Sequence, residues 1–163
     1  MNNELLQRII EEVVSRLKER AESTLTLSVA QLRELDSRKV CCQYSAIHLL
    51  QVDLPLLQQI AEDCSANAPV VTIHEALACG VRVKISLHHR LLPAIPVKKL
   101  ARLPLEFSDE LGRIIFLHPD KLLSYADVAQ LKGGVLVLRR RCVVTALAQE
   151  AVSTRNVQLI KQE

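Results

Sequence analysis

The sequence predicts an α/β protein in which an N-terminal amphipathic helix precedes a compact body with a mixed sheet flanked by helices; an α+β arrangement is the alternative. Three observations carry this expectation. The opening residues repeat their apolar positions at helical spacing, whereas from Val40 onward short apolar runs alternate with helical segments. Capping residues, prolines and glycines mark most of the junctions between those runs. The predicted division is 1–22 as a helical arm, 23–39 as a linker or short helix, and 40–163 as the α/β body.

Leu6, Ile10, Val13 and Leu17 recur at spacings of four, three and four and form one seam. Leu5, Ile9 and Val14 widen it to an apolar arc of roughly 180°, with Glu4, Gln7, Arg8, Glu11, Ser15, Lys18 and Glu19 on the other side. Asn3 is the expected N-cap; Glu4 at the start and Arg16, Lys18 and Arg20 near the end suit the helix dipole. Ser23–Ser28 alternates as linker or short strand, Ser28 caps a brief helix through Leu35, and Asp36-Ser37-Arg38 is a break.

Within the body, Ala46 to Val52 predicts a buried strand. Asp53 caps a helix with Pro55 in its first turn, running to about Asp63. Val71 to Cys79 is helical and Gly80 ends it. Val81, Val83, Ile85 and Leu87 alternate with Arg82, Lys84 and Ser86, which predicts a strand with one polar face. Pro93 and Pro96 break the chain before an amphipathic segment, Val97 to Leu103. Leu105–Phe107 and Arg113–Leu117 pair as a hairpin across Ser108-Asp109-Glu110-Leu111-Gly112. Ser124 caps the helix Tyr125 to Leu131, and Val135–Leu138 and Cys142–Val144 are strands. Thr145 caps a last helix to about Arg155, Asn156 ends it in a left-handed conformation, and Val157–Ile160 returns as a strand.

A chain of 163 residues has room for a substantial core, and that core must be aliphatic, since Trp is absent and Tyr and Phe number two each. The same scarcity argues against base-stacking platforms. The 21 basic and 18 acidic residues are intermixed, so no nucleic-acid partner is expected. Two basic clusters stand out, Lys98-Lys99 with Arg102 and Arg139-Arg140-Arg141; a solvated helix face and a strand end account for them, with phosphate or acidic-partner binding as the alternative. Five cysteines without C-x-x-C spacing suggest neither a disulfide framework nor a zinc site. There is no apolar run long enough to span a bilayer and no secretory h-region, so neither a membrane nor export is expected.

The sequence carries no recognisable catalytic constellation. His74-Glu75 opens like a zinc-binding helix, but Ala78 stands where the second ligand is required. His88 and His89 are adjacent and point to different sides. Gly80, Gly112, Gly133 and Gly134 fit neither the dinucleotide fingerprint nor the P-loop. Cys41 and Cys42 have no local base, and Cys79 sits at a helix end where the dipole disfavours a thiolate. No catalytic, cofactor-binding or metal residue is therefore assigned, and a binding or structural protein is expected.

The segment Glu4-Leu5-Leu6-Gln7-Arg8-Ile9-Ile10-Glu11-Glu12-Val13-Val14 resembles the short helices that direct propanediol-utilisation enzymes into a bacterial microcompartment. The segment Leu92-Pro93-Ala94-Ile95-Pro96-Val97-Lys98-Lys99-Leu100-Ala101-Arg102-Leu103-Pro104-Leu105 and the runs Val143–Ala148 and Arg155–Glu163 extend the resemblance over the chain. Together they resemble a family of propanediol-utilisation microcompartment proteins. Leu123–Val128 with Val143–Ala148 is also similar to a segment of other microcompartment-associated proteins, in which a proline often replaces Ala146.

The resemblance implies a non-enzymatic protein needed for assembly or stability of the propanediol-degrading organelle. It would reside in that compartment in the cytoplasm and contact shell proteins, with core enzymes as further candidate partners. The apolar seam supplies the candidate partner-binding residues: Leu6, Ile9, Ile10, Val13 and Leu17. A small-ligand accessory protein binding flavin or nucleotide on the α/β body is the alternative, opposed by the scarcity of glycine.

Overall fold

The computed structural model describes residues 2–163. Helix α1 (Asn3–Glu22) leads into strand β1 (Thr24–Ser28), followed by α2 (Val29–Arg33), α3 (Ser37–Gln43), β2 (Ala46–Leu50), α4 (Leu54–Ala61), α5 (Ala68–Ala78) and β3 (Arg82–Ser86). A 3-10 turn, His89–Ala94, and α6 (Val97–Leu100) precede the hairpin strands β4 (Leu105–Ser108) and β5 (Ile114–His118). The chain finishes with β6 (Leu122–Leu123), α7 (Tyr125–Ala129), β7 (Gly134–Leu138), β8 (Val143–Val144), α8 (Ala146–Thr154) and β9 (Val157–Lys161).

The main sheet has seven strands in the order β1-β2-β3-β4-β5-β7-β9, and β6 pairs with β8 in a separate two-stranded sheet. Strands β1 to β4 run parallel to one another, β4 and β5 are antiparallel, and β5, β7 and β9 are again parallel. The predicted hairpin is thus the point where the sheet reverses direction. This is the mixed α/β architecture that the sequence predicts.

Covering of the sheet is unequal, and the strand sequences show why. In β7, Val135 and Val137 join the core under α2–α6, whereas Leu136 and Leu138 join a second core under α7 and α8. Both faces are covered there, so the strand is a continuous apolar run. In β3, Val83 and Ile85 are buried but Arg82 and Lys84 are exposed. That half of the sheet has helices on one face only, and alternation is the result.

The segment 23–39 is not a linker, and the compact body does not begin at Val40. Thr24–Ser28 pairs in parallel with β2 from Thr24↔Ala46 to Ser28↔Leu50, with Leu25 and Leu27 against the core. Asp36 is no simple break: its carboxylate accepts a hydrogen bond from the Arg38 N–H at 3.0 Å and caps α3. Asn2, and not Asn3, occupies the N-cap position of α1, without a side-chain capping bond. The remaining caps follow the sequence: Ser28 forms a capping box with Gln31, Asp53 accepts from the Leu56 N–H, and Thr145 from the Ala148 N–H. Asn156 has φ 54°, the left-handed turn that returns the chain into β9.

Candidate functional site

Helix α1 has no buried residue along its length. Leu5, Leu6, Ile9, Ile10, Val13, Val14 and Leu17 are between 42% and 60% exposed, so the whole apolar arc is open. Two i,i+4 pairs support the helix from within: Gln7 Nε2 donates to Glu11 Oε1 at 3.1 Å, and Arg16 Nε to Glu12 Oε1 at 2.8 Å at the edge of the apolar arc. The helix is tied to the rest of the chain at its C-terminal end. Arg20 Nε donates to the Cys41 carbonyl at 2.9 Å, and Ser45 Oγ donates to the Ala21 carbonyl at 3.0 Å. The candidate residues Leu6, Ile9, Ile10, Val13 and Leu17 therefore share one solvent-facing surface.

An isolated amphipathic helix in water draws little stability from propensity and much from packing its apolar side. Covering the partly exposed aliphatic side chains of this arc gains about 1 kcal/mol each. The arc leaves apolar surface in contact with solvent.

Several other chemistry-bearing residues make structural contacts. His74 Nε2 lies 3.1 Å from the Ile60 carbonyl and 3.5 Å from Asp63 Oδ1, linking α5 to the end of α4. His88 Nδ1 accepts from the Arg90 N–H and caps the 3-10 turn. His89 sits 3.9 Å from the fully buried Asp109 carboxylate, which belongs to the β4–β5 turn. Desolvation of the Cys41 thiol, with its hydrogen bond to Cys79 adding to it, pushes its pKa up to about 11, so it is protonated at neutral pH. Burial also raises the Cys142 thiol. Among the described residues there is no group of three His, Cys, Asp or Glu side chains that could hold a metal ion. No described helix is long and apolar enough to cross a membrane.

On the open sheet face, Thr26, His48, Lys84 and Glu106 form a row across β1 to β4, with Lys84 Nζ 3.8 Å from Glu106 Oε2. A hollow of about 660 Å³ lies there, partly walled by Ile114 and Phe116. Members of both basic clusters line one crevice: Lys98, Lys99, Arg139 and Arg140 border it, whereas Arg102 and Arg141 do not. Their convergence depends on strand order, which local spacing does not reveal.

Fold and surface together define an α/β protein with an exposed amphipathic helix and with no metal-ligand cluster among the described residues. The chain belongs to the PDU-like family, described as putative propanediol utilisation, whose model matches residues 8–158. It is 87% identical over 163 residues to a Citrobacter freundii protein named bacterial microcompartment assembly protein PduM, covering all of both chains. A protein of the same name from Salmonella typhimurium (strain LT2) is 56% identical over 163 residues, again covering all of both chains. No solved structure matches the chain.

Proposed function

We propose that this protein is a non-enzymatic assembly component of the bacterial microcompartment for propanediol degradation, and that α1 is the arm by which it joins the organelle. The relatives named as assembly proteins of such compartments support the organelle and the role. The observation that carries the mechanism is the exposure of every large aliphatic side chain on α1, including Leu6, Ile9, Ile10, Val13 and Leu17. These side chains enter an apolar groove on a shell protein or core enzyme, in the manner of helix-in-groove recognition. Each contact is weak, and repetition over a many-copy shell raises the effective affinity.

Deletion of residues 1–20 tests this reading. The remaining chain is expected to keep a cooperative unfolding transition and to be lost from purified organelles. Unfolding of the truncated chain would place the helix in the core, and full retention in organelles would remove it as the attachment element.

A further inference from the structure

We propose that the crevice between α6 and the turn after β7 binds a carboxylate-rich peptide segment of a partner protein. The site is built by the end of the chain. Gln162, which follows β9, donates its backbone N–H to the Leu138 carbonyl at 2.9 Å. Its side-chain amide donates to the carbonyls of Leu92 at 3.0 Å and Ile95 at 2.7 Å. One residue thus pins the proline-rich segment before α6 to the end of β7, and Lys98-Lys99 come to border the same crevice as Arg139-Arg140.

The crevice encloses about 370 Å³, with Ile95, Pro96, Val97 and Ala61 as an apolar wall. An adjoining hollow of about 280 Å³ is lined by Lys121, Arg139, Arg140 and Arg141. Arg139 and Arg140 belong to both, so the two form one basic track. Its charge is little compensated. Lys99 Nζ lies 3.5 Å from Glu62 Oε1, and Arg139 donates to the Pro119 carbonyl at 3.0 Å. Lys98, Lys121, Arg140 and Arg141 have no ion-pair partner among the described residues. The track lies beyond the carboxyl ends of β7 and β9, where open α/β sheets place their ligands.

The spread of the cations selects the ligand. A single phosphate is held by cations or backbone amides that converge on one point, whereas these cations are spread along two adjoining hollows. Exposed cations set along adjoining hollows match carboxylates set along an extended chain, and the apolar wall takes the aliphatic side chains between them. No aromatic residue lines the track, so there is no platform for a nucleotide base.

The test uses the full chain and a fluorescein-labelled peptide of alternating Glu and Leu, followed by anisotropy. Lys98→Glu with Arg140→Glu is expected to weaken binding by about tenfold or more, with an unchanged thermal midpoint. Arg38→Glu with Lys39→Glu changes net charge equally on another exposed surface and is expected to have little effect. Arg140→Ala provides a milder variant should the double reversal disturb folding, and is expected to weaken binding severalfold. Ile9→Glu is expected to leave peptide binding intact, which separates this site from the α1 proposal. Equal losses in both double variants, no binding by the native chain, or displacement of the peptide by equimolar inorganic phosphate would each overturn the assignment.

Discussion

Arg113 Nε donates to Asp109 Oδ2 at 2.7 Å across the β4–β5 turn, and the Asp109 carboxylate is completely buried. The N–H groups of Leu111 and Arg113 donate to the other carboxylate oxygen at 3.0 and 2.8 Å. Arg113 also reaches Gln158 of β9 at 2.9 Å, so the turn is anchored beyond its own hairpin. Burial on its own raises the Asp109 pKa, but the Arg113 and Leu111 hydrogen bonds and the guanidinium charge outweigh it and leave the carboxyl below its ordinary value.

A depressed pKa in the folded state means that ionised Asp109 stabilises the fold above the unfolded-state value, about 3.9. That contribution disappears as pH falls through the lower folded-state value. Asp109→Asn is therefore expected to lower stability near neutral pH by about 2 kcal/mol and to flatten the acid side of the stability profile. Denaturant midpoints from pH 7 down to pH 3 measure this; parallel profiles for the two proteins would contradict the role given to the carboxylate.

Ile9→Glu and Val13→Glu place a charge in the centre of the α1 arc. Both positions are about half exposed in the free protein, so the expected change in stability is within about 0.5 kcal/mol. Organelle association is expected to fall at least tenfold, because a carboxylate entering an apolar groove loses its hydration without a partner. Copurification with intact microcompartments reads the second effect and thermal denaturation the first. A variant that still associates normally would show that the arc is not the contact surface.

The attachment of α1 to the body is equally open to test. Arg20→Ala removes the hydrogen bond to the Cys41 carbonyl, and Ser45→Ala removes those to the Ala21 and Ser23 carbonyls. Their combination is expected to cost the body about 1 kcal/mol while speeding proteolysis around residues 20–24. Unchanged cleavage would mean that the helix is held by other contacts.

Local chemistry made much of this fold readable. The arc of α1, the caps at Ser28, Asp53 and Thr145, and the reversal at Asn156 each depend on residues within a few positions of one another. Strand β1 is ambiguous from sequence because its alternation becomes informative only once β2 lies beside it and Leu25 and Leu27 face the core. Helix α3 begins Ser-Arg-Lys, and its polar start hides the buried Val40 that anchors it. The candidate arm residues show in the sequence as a periodicity, whereas the basic track does not. Lys98 and Arg139 come to line one crevice through a strand order and a Gln162 tether that no short window contains.

Gly134 opens β7 beside β5 with φ +93°, where L side chains are strained. A Cβ added there would stand 2.5 Å from the Ile114 carbonyl oxygen and 3.3 Å from the Phe116 ring. The nearer atom is backbone in a paired strand, so relief requires moving β5 against β7, and Ile115↔Val135 is the first pair of that register. Both Val135 and Ile115 lie in the main core, so such a shift also disturbs packing. Gly134→Ala is expected to destabilise the protein by about 2 to 4 kcal/mol. Gly112→Ala, also at positive φ but with no heavy atom within 4 Å of the added Cβ, is expected to cost about 1 kcal/mol. Denaturant titration of the two variants separates strand clash from backbone strain: equal losses would mean that the close approach of Ile114 contributes nothing.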